Sequence, residues 1–314
     1  MSQDNPLFSI VIPCYNYGHC VGRAIESALN QSQQCEFDIT VVDDGSSDNS
    51  AQVVAAYTDA QPERVRYIFQ NNSGPAAARN RGIDSTSGRY LIFLDADDEL
   101  TNNALSIFLS AITDSPEAGL IIGGHDSQHD NLNNNSSGNK NNSGKRKYHS
   151  PGQLPSDRVA VFHRYLQNKL GMANGAIAMR REVFDNIRYN PELRQSEDIP
   201  VFAAIFANYP VVTVDQSTAI IYRHEGSLRS NTDWAEKMGF LLVDEIFNHQ
   251  LPAECYRYQR WYRSQKGLSL FRMYFLAGQK QQAASYYHQA IKQYPKNIFR
   301  WAYLRKYLKM RLLP

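Results

Sequence analysis

Asp95-Ala96-Asp97-Asp98 sets three carboxylates within four residues, directly after the apolar run Tyr90–Leu94. Such groups repel one another unless a cation or solvent offsets them. Their oxygens suit hard cations such as Mg2+ or Mn2+, which often also hold a substrate phosphate. On its own, an acidic turn would do no more than complement the dipole of a following helix. Two further turns argue for more. Asp43-Asp44-Gly45-Ser46 follows the apolar run Phe37–Val42, and Pro13-Cys14-Tyr15-Asn16 closes the run that begins at Phe8. Asp43-Asp44 suits a tight turn and a ribose contact alike. Tyr15 is placed to stack on a base, and Asp44 to accept from a base or ribose. No GxGxxG and no GxxxxGK[ST] follows the first run, so neither a Rossmann pyrophosphate loop nor a P-loop is present.

Those turns need elements to position them. Phe8–Pro13, Phe37–Val42, Val65–Phe69, Tyr90–Leu94 and Leu120–Ile122 are short and apolar, as strands buried on both faces are. Helical spacing lies between them: Val21, Ile25, Ala28 and Leu29, then Val53, Val54 and Tyr57, then Pro75–Ile83, then Leu105, Phe108, Leu109 and Ile112. Ser47 or Asp48, and Thr101, are candidate caps. Strand and helix in alternation predict an α/β fold with a mostly parallel, doubly wound sheet. In such sheets ligands bind beyond the carboxyl ends of the strands, where all three polar turns fall.

Residues 127–150 break the rhythm, with seven Asn and four Lys or Arg. Such a stretch buries too little to order itself and is expected to be a mobile loop. Beyond it, a helix is expected near Arg158–Asn168, with strand-like runs at Ala176–Met179 and Val211–Val214. Glu197-Asp198 reads as the first turn of a helix capped by Ser196, ahead of the apolar run Ile199–Phe206. From about 255 the chain looks wholly helical. Leu270–Pro295 has the small-residue offsets of one tetratricopeptide-type hairpin, and a hairpin docked on the body is favoured over a repeat array.

The chain has 314 residues and a formal charge of +2. The last acid is Glu254. Residues 255–314 carry 13 Lys or Arg, so the first 254 residues hold 20 basic and 31 acidic groups. An acidic body thus joins a basic tail. Hydrophobic content of 42% rules out global disorder. No apolar run approaches the roughly 20 residues that span a bilayer. The first residues lack a basic n-region, so no signal peptide is expected. Cys14, Cys20, Cys35 and Cys255 have no metal-ligand rhythm and are expected to be reduced thiols in a cytoplasmic protein.

Taken together, FSIVIPCYNYGHCVGRAIESALNQ, VVDDGSSDNS, NNSGPAAARNRGI and YLIFLDADDEL resemble the family-2 glycosyltransferases of GT-A fold. Met179–Phe184 is similar to that family's RRE-x-F segment, Ser196–Asp198 to its ED motif, and Tyr222–Ser227 to its YR-x-H-x-x-S segment. The resemblance covers roughly residues 7–230. It implies a Rossmann-like, mostly parallel sheet flanked by helices over residues 1–254, with 255–314 a helical appendage. It implies that Pro13, Tyr15, Asp43 and Asp44 hold the base and ribose, with Arg79 and Asn80 near the donor. Asp95 and Asp97 would be the DxD pair, Asp97 on the metal (Mn2+ or Mg2+) and Asp95 nearer the ribose. Asp98 and Glu197 are further candidates. Asp198 would be the catalytic base, and His224 would reach the metal or diphosphate.

The activity implied is inverting transfer from a nucleotide-sugar donor, of UDP type, to a saccharide or lipid-linked saccharide in cell-surface polysaccharide synthesis. The alternative is a non-catalytic sugar-nucleotide-binding scaffold that recruits partners through its helical tail. The tail mixes its 13 cations with nine Tyr, two Trp and three Phe. That mixture suits an anionic membrane interface first and docking onto the acidic body second. Nucleic acid is not expected. The location implied is cytoplasmic, peripheral at the inner face of the plasma membrane.

Overall fold

The structure is a computed structural model and describes residues 5–31, 35–129, 146–223, 239–248 and 250–312. A nine-stranded sheet forms its centre. The strands are β1 (Phe8–Cys14), β2 (Phe37–Asp43), β3 (Val65–Phe69), β4 (Tyr90–Phe93), β5 (Glu99–Leu100), β6 (Leu120–His129), β7 (Lys147–His149), β8 (Ile177–Arg180) and β9 (Val211–Arg223). Their spatial order is β3-β2-β1-β4-β8-β6-β9-β5, with β7 paired to β6.

The first half of the sheet follows the expectation. β1 pairs in parallel with β2 and β4, and β2 with β3. The second half adds what periodicity did not reveal. β8 lies antiparallel between β4 and β6, through Leu91↔Met179 and Leu120↔Met179. β6 therefore runs the same way as β4 without touching it, and β9 follows in parallel. β5, only two residues long, closes the far edge antiparallel to β9.

Both faces of the sheet are covered. Ile10, Ile12, Val41 and Ile92 pack against α1 (Val21–Leu29), α2 (Ser50–Ala60) and α4 (Ala104–Asp114). Val11, Val42, Leu91 and Phe93 face α3 (Pro75–Ser85), α5 (Arg158–Leu166), α6 (Asp198–Asn208) and α7 (Leu241–Asn248). Adjacent residues of one strand thus serve opposite cores, which is why these runs are continuously apolar. Gly82 lets α3 sit close on β1, since a Cβ there would lie 2.3 Å from Val11 Cγ1.

Three local expectations are modified. The ends of the Asn-rich stretch are strands: Ser127 pairs with Lys147, Asp126 with Tyr148 and His125 with His149. Tyr148 occupies the space that the missing side chain of Gly124 leaves, so apolar contact offsets the ordering entropy there. Residues 130–145 lie outside the described residues. The expected helix caps are also replaced. Asn49, Asn103 and Glu197 stand at the N-cap positions of α2, α4 and α6, none with a side-chain cap bond. Asp48 instead accepts from Ser50 N at 3.0 Å and Gly18 N at 2.9 Å, which ties the β1 exit to α2.

The last helices are α8 (Gln259–Leu276), α9 (Lys280–Gln293) and α10 (Trp301–Leu312). Cys255 and Tyr262 belong to the main core. Arg263 pairs with Asp244 of α7. Beyond them α8 and α9 close a separate core of Leu268, Phe271, Ala283, Tyr287 and Ala290. Gly267 allows the approach, because a Cβ there would lie 3.1 Å from Ala290 Cβ.

Candidate functional site

The Asp95–Asp98 turn follows β4 and is held from behind. Asp98 N donates to Asp95 O at 3.0 Å. Asp98 is buried and accepts from Tyr222 N at 2.9 Å. Burial first, then the charges of Asp95 and Asp97, push its carboxyl well above the usual range. Arg23 of α1 donates through Nη2 to Asp97 O at 2.7 Å and pairs with Glu99 at 3.1 Å. Its guanidinium lies over the Tyr222 ring at 3.7 Å, and the Tyr222 hydroxyl donates to Glu99 at 2.8 Å. Tyr17 bonds Asp97, and burial followed by the Asp97 charge holds that phenol well above its ordinary value. These braces leave Asp95 and Asp97 half-buried at the edge of the sheet.

Arg79 brings the next carboxylates to this turn. It stands on α3 with 5% of its surface exposed. Its Nη2 donates to Asp95 Oδ1 at 3.0 Å, and its Nη1 to Glu197. Burial alone would pull the guanidinium down, but Asp95 and Glu197 outweigh it and hold it above its ordinary value. Asp198 is the first residue of α6. Burial, then the charge of Glu197, pushes its carboxyl up to about 6 against the pull of Arg79. Ser196 turns the chain into that helix with φ of 59°. Asn174 adds an amide 3.5 Å from Asp95 Oδ2.

The other predicted residues divide by role. Tyr15 is 49% exposed, free to lie against a flat ligand. Pro13 sits beside it, half-buried. Asp43 and Asp44 are buried and engaged within the protein. Asp43 accepts from Ser46 N at 2.8 Å and from the Tyr67 hydroxyl at 2.7 Å. Asp44 accepts from Gln70 Nε2 at 2.7 Å, Ser73 N at 2.8 Å and Gly74 N at 2.8 Å, which fixes the loop entering α3. Asn80 clasps the backbone of Tyr189, donating at 2.7 Å and accepting at 3.1 Å. His224 lies outside the described residues.

For a divalent cation, the donors in this turn are the right kind. They are carboxylate oxygens, with those of Asp95 and Asp97 half-buried at the edge of the sheet. Among the described residues no three His, Cys, Asp or Glu side chains form a ready-made cage. Mg2+-type sites commonly need only one or two carboxylates, with substrate phosphates and water completing the shell. Arg23, Tyr17, Tyr222, Glu99 and Asn174 are site residues that sequence reading passed over. Tyr17, Arg23, Glu99 and Tyr222 lay inside quoted motifs without being singled out, and Asn174 lay outside them.

A cavity of about 580 Å3, lined by Leu154, Arg158, Phe206 and Tyr209 among others, lies at the far end of α6 from Asp198. It is separate from this chemistry.

Comparison with known proteins gives the following. The family model described as glycosyl transferase family 2 matches residues 9–188. The minor teichoic acid biosynthesis protein GgaA of Bacillus subtilis is 36% identical over 120 residues, 37% of this chain and 27% of that protein. The glycosyltransferase GlyG of Streptococcus pneumoniae is 36% identical over 120 residues, 38% of this chain and 39% of that one. The chain thus spans well under half the length of these curated relatives. Among solved structures, S. aureus TarS 1-349 in complex with UDP-GlcNAc aligns with a TM-score of 0.65 at 18% identity, covering 97% of this chain and 90% of that one. The mannosyltransferase PcManGT of Pyrobaculum calidifontis, in complex with GDP-Man and Mn2+, aligns with a TM-score of 0.53 at 15% identity, covering 99% and 88%. At these identities the likeness to the two structures is one of fold.

Proposed function

The chain belongs to glycosyl transferase family 2, and from that premise we propose that it moves a sugar from a UDP-sugar donor to a hydroxyl of a saccharide or lipid-linked saccharide, with inversion, in polysaccharide synthesis. One observation carries the proposal: buried Arg79 joins Asp95 of the donor-side turn to Glu197, the neighbour of Asp198. That bridge supports reading Asp198 as a general base beside the place where a nucleoside diphosphate would leave. The donor type draws support from TarS, solved with UDP and with UDP-GlcNAc on the same fold.

Asp198 accepts the proton of the acceptor hydroxyl as that oxygen attacks the anomeric carbon. The bond to the diphosphate oxygen breaks on the opposite face. A carboxyl raised to about 6 is ionised at neutral pH and is a better base than a solvated one. Glu197, held by Arg79, orients the start of α6. Tyr15 stacks on the base, while Asp44 and Asp43 keep the loops around it in place. Bound at Asp97 and Asp95, with His224 as a further ligand, Mn2+ or Mg2+ would neutralise charge on the leaving diphosphate. On this reading residues 1–254 carry the transfer and residues 255–314 its placement.

For the tail we propose an anionic membrane surface at the cytoplasmic face. Phe299 and Trp301 are 86% and 66% exposed on either side of Arg300, with Lys296 nearby and no acid beyond Glu254. Aromatic rings beside cations suit the headgroup region. No helix among the described residues is long and apolar enough to cross a membrane.

The test is release of nucleoside diphosphate from a panel of donors with and without chelator. Release that needs acceptor, falls on chelation and is lost in Asp198→Asn supports the transfer. Absence of release with every donor–acceptor pair would favour the scaffold.

A further inference from the structure

Helix α5 has two working faces. Tyr165 packs on Phe202 and Phe206 of α6, with ring centroids 6.4 and 4.9 Å apart. His163, Arg164 and Gln167 lie on a different face, and Gln167 Nε2 is 3.1 Å from His163 Nε2. With Lys169, Arg257 and Tyr258 they line a cavity of about 420 Å3. Its floor is flat: His163 stacks on Tyr258 at 4.1 Å and 9°, with Trp261 edge-on at 5.1 Å. Arg164 is anchored on Gln153 O at 2.8 Å and Arg257 on the Tyr258 hydroxyl at 2.9 Å. Lys169 and Arg257 are exposed. The wall therefore presents three cations and no carboxylate. Burial, then the positive charges of Arg257 and Lys169, hold the His163 imidazole below its ordinary value.

This cavity adjoins the basic tail rather than the catalytic acids, because the packed body of α5 stands between it and α6. Trp261, at its edge, belongs to α8, and Gln265 stands one turn further along the same flank of that helix. Gln265 accepts from Arg300 and donates to Asn297 Oδ1 at 3.4 Å. Arg300 is flanked by Phe299 and Trp301, which are 86% and 66% exposed. One surface thus runs from Lys169 and Arg257, through Trp261 and Arg300, to two exposed aromatic rings. Every charge named along it is positive.

We infer that this cavity seats the headgroup phosphate of an anionic membrane phospholipid, so that α5 and the tail meet one bilayer together. The inference rests on the membrane reading of the tail and adds to it a headgroup site built on α5. Like charges crowded around a concavity repel one another until an anion arrives. The fork of an arginine matches phosphate oxygens, and two arginines line this wall. Phe299 and Trp301 decide the source of the phosphate. Rings of that kind rest at the depth of lipid headgroups, where the phosphates also lie. A free phosphate would meet the same cations but would gain nothing from the rings.

The experiment uses the full chain and two readouts: sedimentation with vesicles, and the His163 ring signals by NMR in bicelles. The probes are phosphatidylglycerol, phosphatidylcholine and inorganic phosphate. The expected result is that phosphatidylglycerol binds the chain and shifts the His163 signals. Phosphatidylcholine does neither, inorganic phosphate at the same phosphate concentration leaves the ring unmoved, and added salt weakens the effect. Arg257→Gln with Lys169→Gln lowers the affinity for phosphatidylglycerol vesicles about tenfold, while the thermal shift given by UDP is retained. A His163 response to inorganic phosphate as large as that to the lipid overturns the inference in favour of a soluble phosphate ligand. His163 signals that stay unmoved while the chain is bound to phosphatidylglycerol also overturn it. Sedimentation that is lost in Phe299→Ser with Trp301→Ser yet equal to the parent in the Arg257 and Lys169 variant overturns this inference alone. Failure of the parent chain to sediment with phosphatidylglycerol vesicles strikes the membrane reading of the tail itself.

Discussion

Arg79 and Glu197 form a buried ion pair across 118 positions of sequence. The same guanidinium holds Asp95, so one side chain fixes the spacing between the acidic turn and the start of α6. Removing one partner of a buried pair strands the other and costs about 3–5 kcal/mol. Arg79→Ala is therefore expected to lower the unfolding free energy read from urea denaturation by that amount. Arg79→Lys should recover little, because a point charge cannot fork between two carboxylates. A loss below about 1 kcal/mol in Arg79→Ala, the range of a surface pair, would show that the bridge does not carry this load.

Asp198 sets a pH window. Its carboxyl titrates near 6 when folded and near the ordinary 3.8 when unfolded. Between those values the folded state binds more protons, so stability falls as pH rises through that interval. Turnover should do the opposite, rising to a plateau above about pH 6 as the base ionises. Asp198→Asn is expected to flatten the stability change and to lower turnover about 10²–10⁴-fold. Unfolding curves and rates from pH 4 to 8 read both.

Asp44 is expected to act on nucleotide binding through the loop it fixes. In Asp44→Asn an amide group must replace one acceptor facing Gln70, Ser73 or Gly74. Leaving a buried donor unmet costs about 1–3 kcal/mol. UDP affinity by calorimetry should fall along with thermal stability. Weakened UDP binding at full stability would instead place Asp44 in direct contact with the nucleotide.

Gly267 is the contact point of the tail hairpin. Gly267→Val should force α8 and α9 apart at Ala290 and cost about 1–3 kcal/mol. Limited proteolysis should then cut between residues 277 and 300 faster than in the parent chain. Unchanged cleavage would mean that the hairpin relaxes without strain.

Phe299 and Trp301 test the membrane reading. Phe299→Ser with Trp301→Ser should reduce sedimentation with phosphatidylglycerol vesicles while leaving UDP binding intact. Sedimentation equal to that of the parent chain would remove the tail from membrane attachment.

The first half of the fold was legible because β1, β2 and β4 are buried on both faces and read as unbroken apolar runs. The second half was less so. β5 is two residues long, and β8 enters the sheet out of order, which no local period reveals. Ser127–His129 and Lys147–His149 were absorbed into a polar loop, since their pairing depends on Tyr148 filling the space at Gly124. At the site, the Asp95–Asp98 cluster could be read from spacing. The Arg79 bridge could not, because it joins positions far apart in sequence. Asp43, Asp44 and Asn80 stood in recognisable motifs, yet only coordinates reveal the hydrogen bonds they make inside the protein.

The late entry of β8 bears on how the chain is made. β4 has left the ribosome long before Arg180 does, and β6 emerges earlier than the strand that must separate the two. During synthesis each presents an apolar open edge, and pairing β4 directly with β6 would be the natural error. The nascent chain therefore has a window, between the emergence of Ile122 and of Arg180, in which chaperone protection matters most and truncated products are most prone to aggregate.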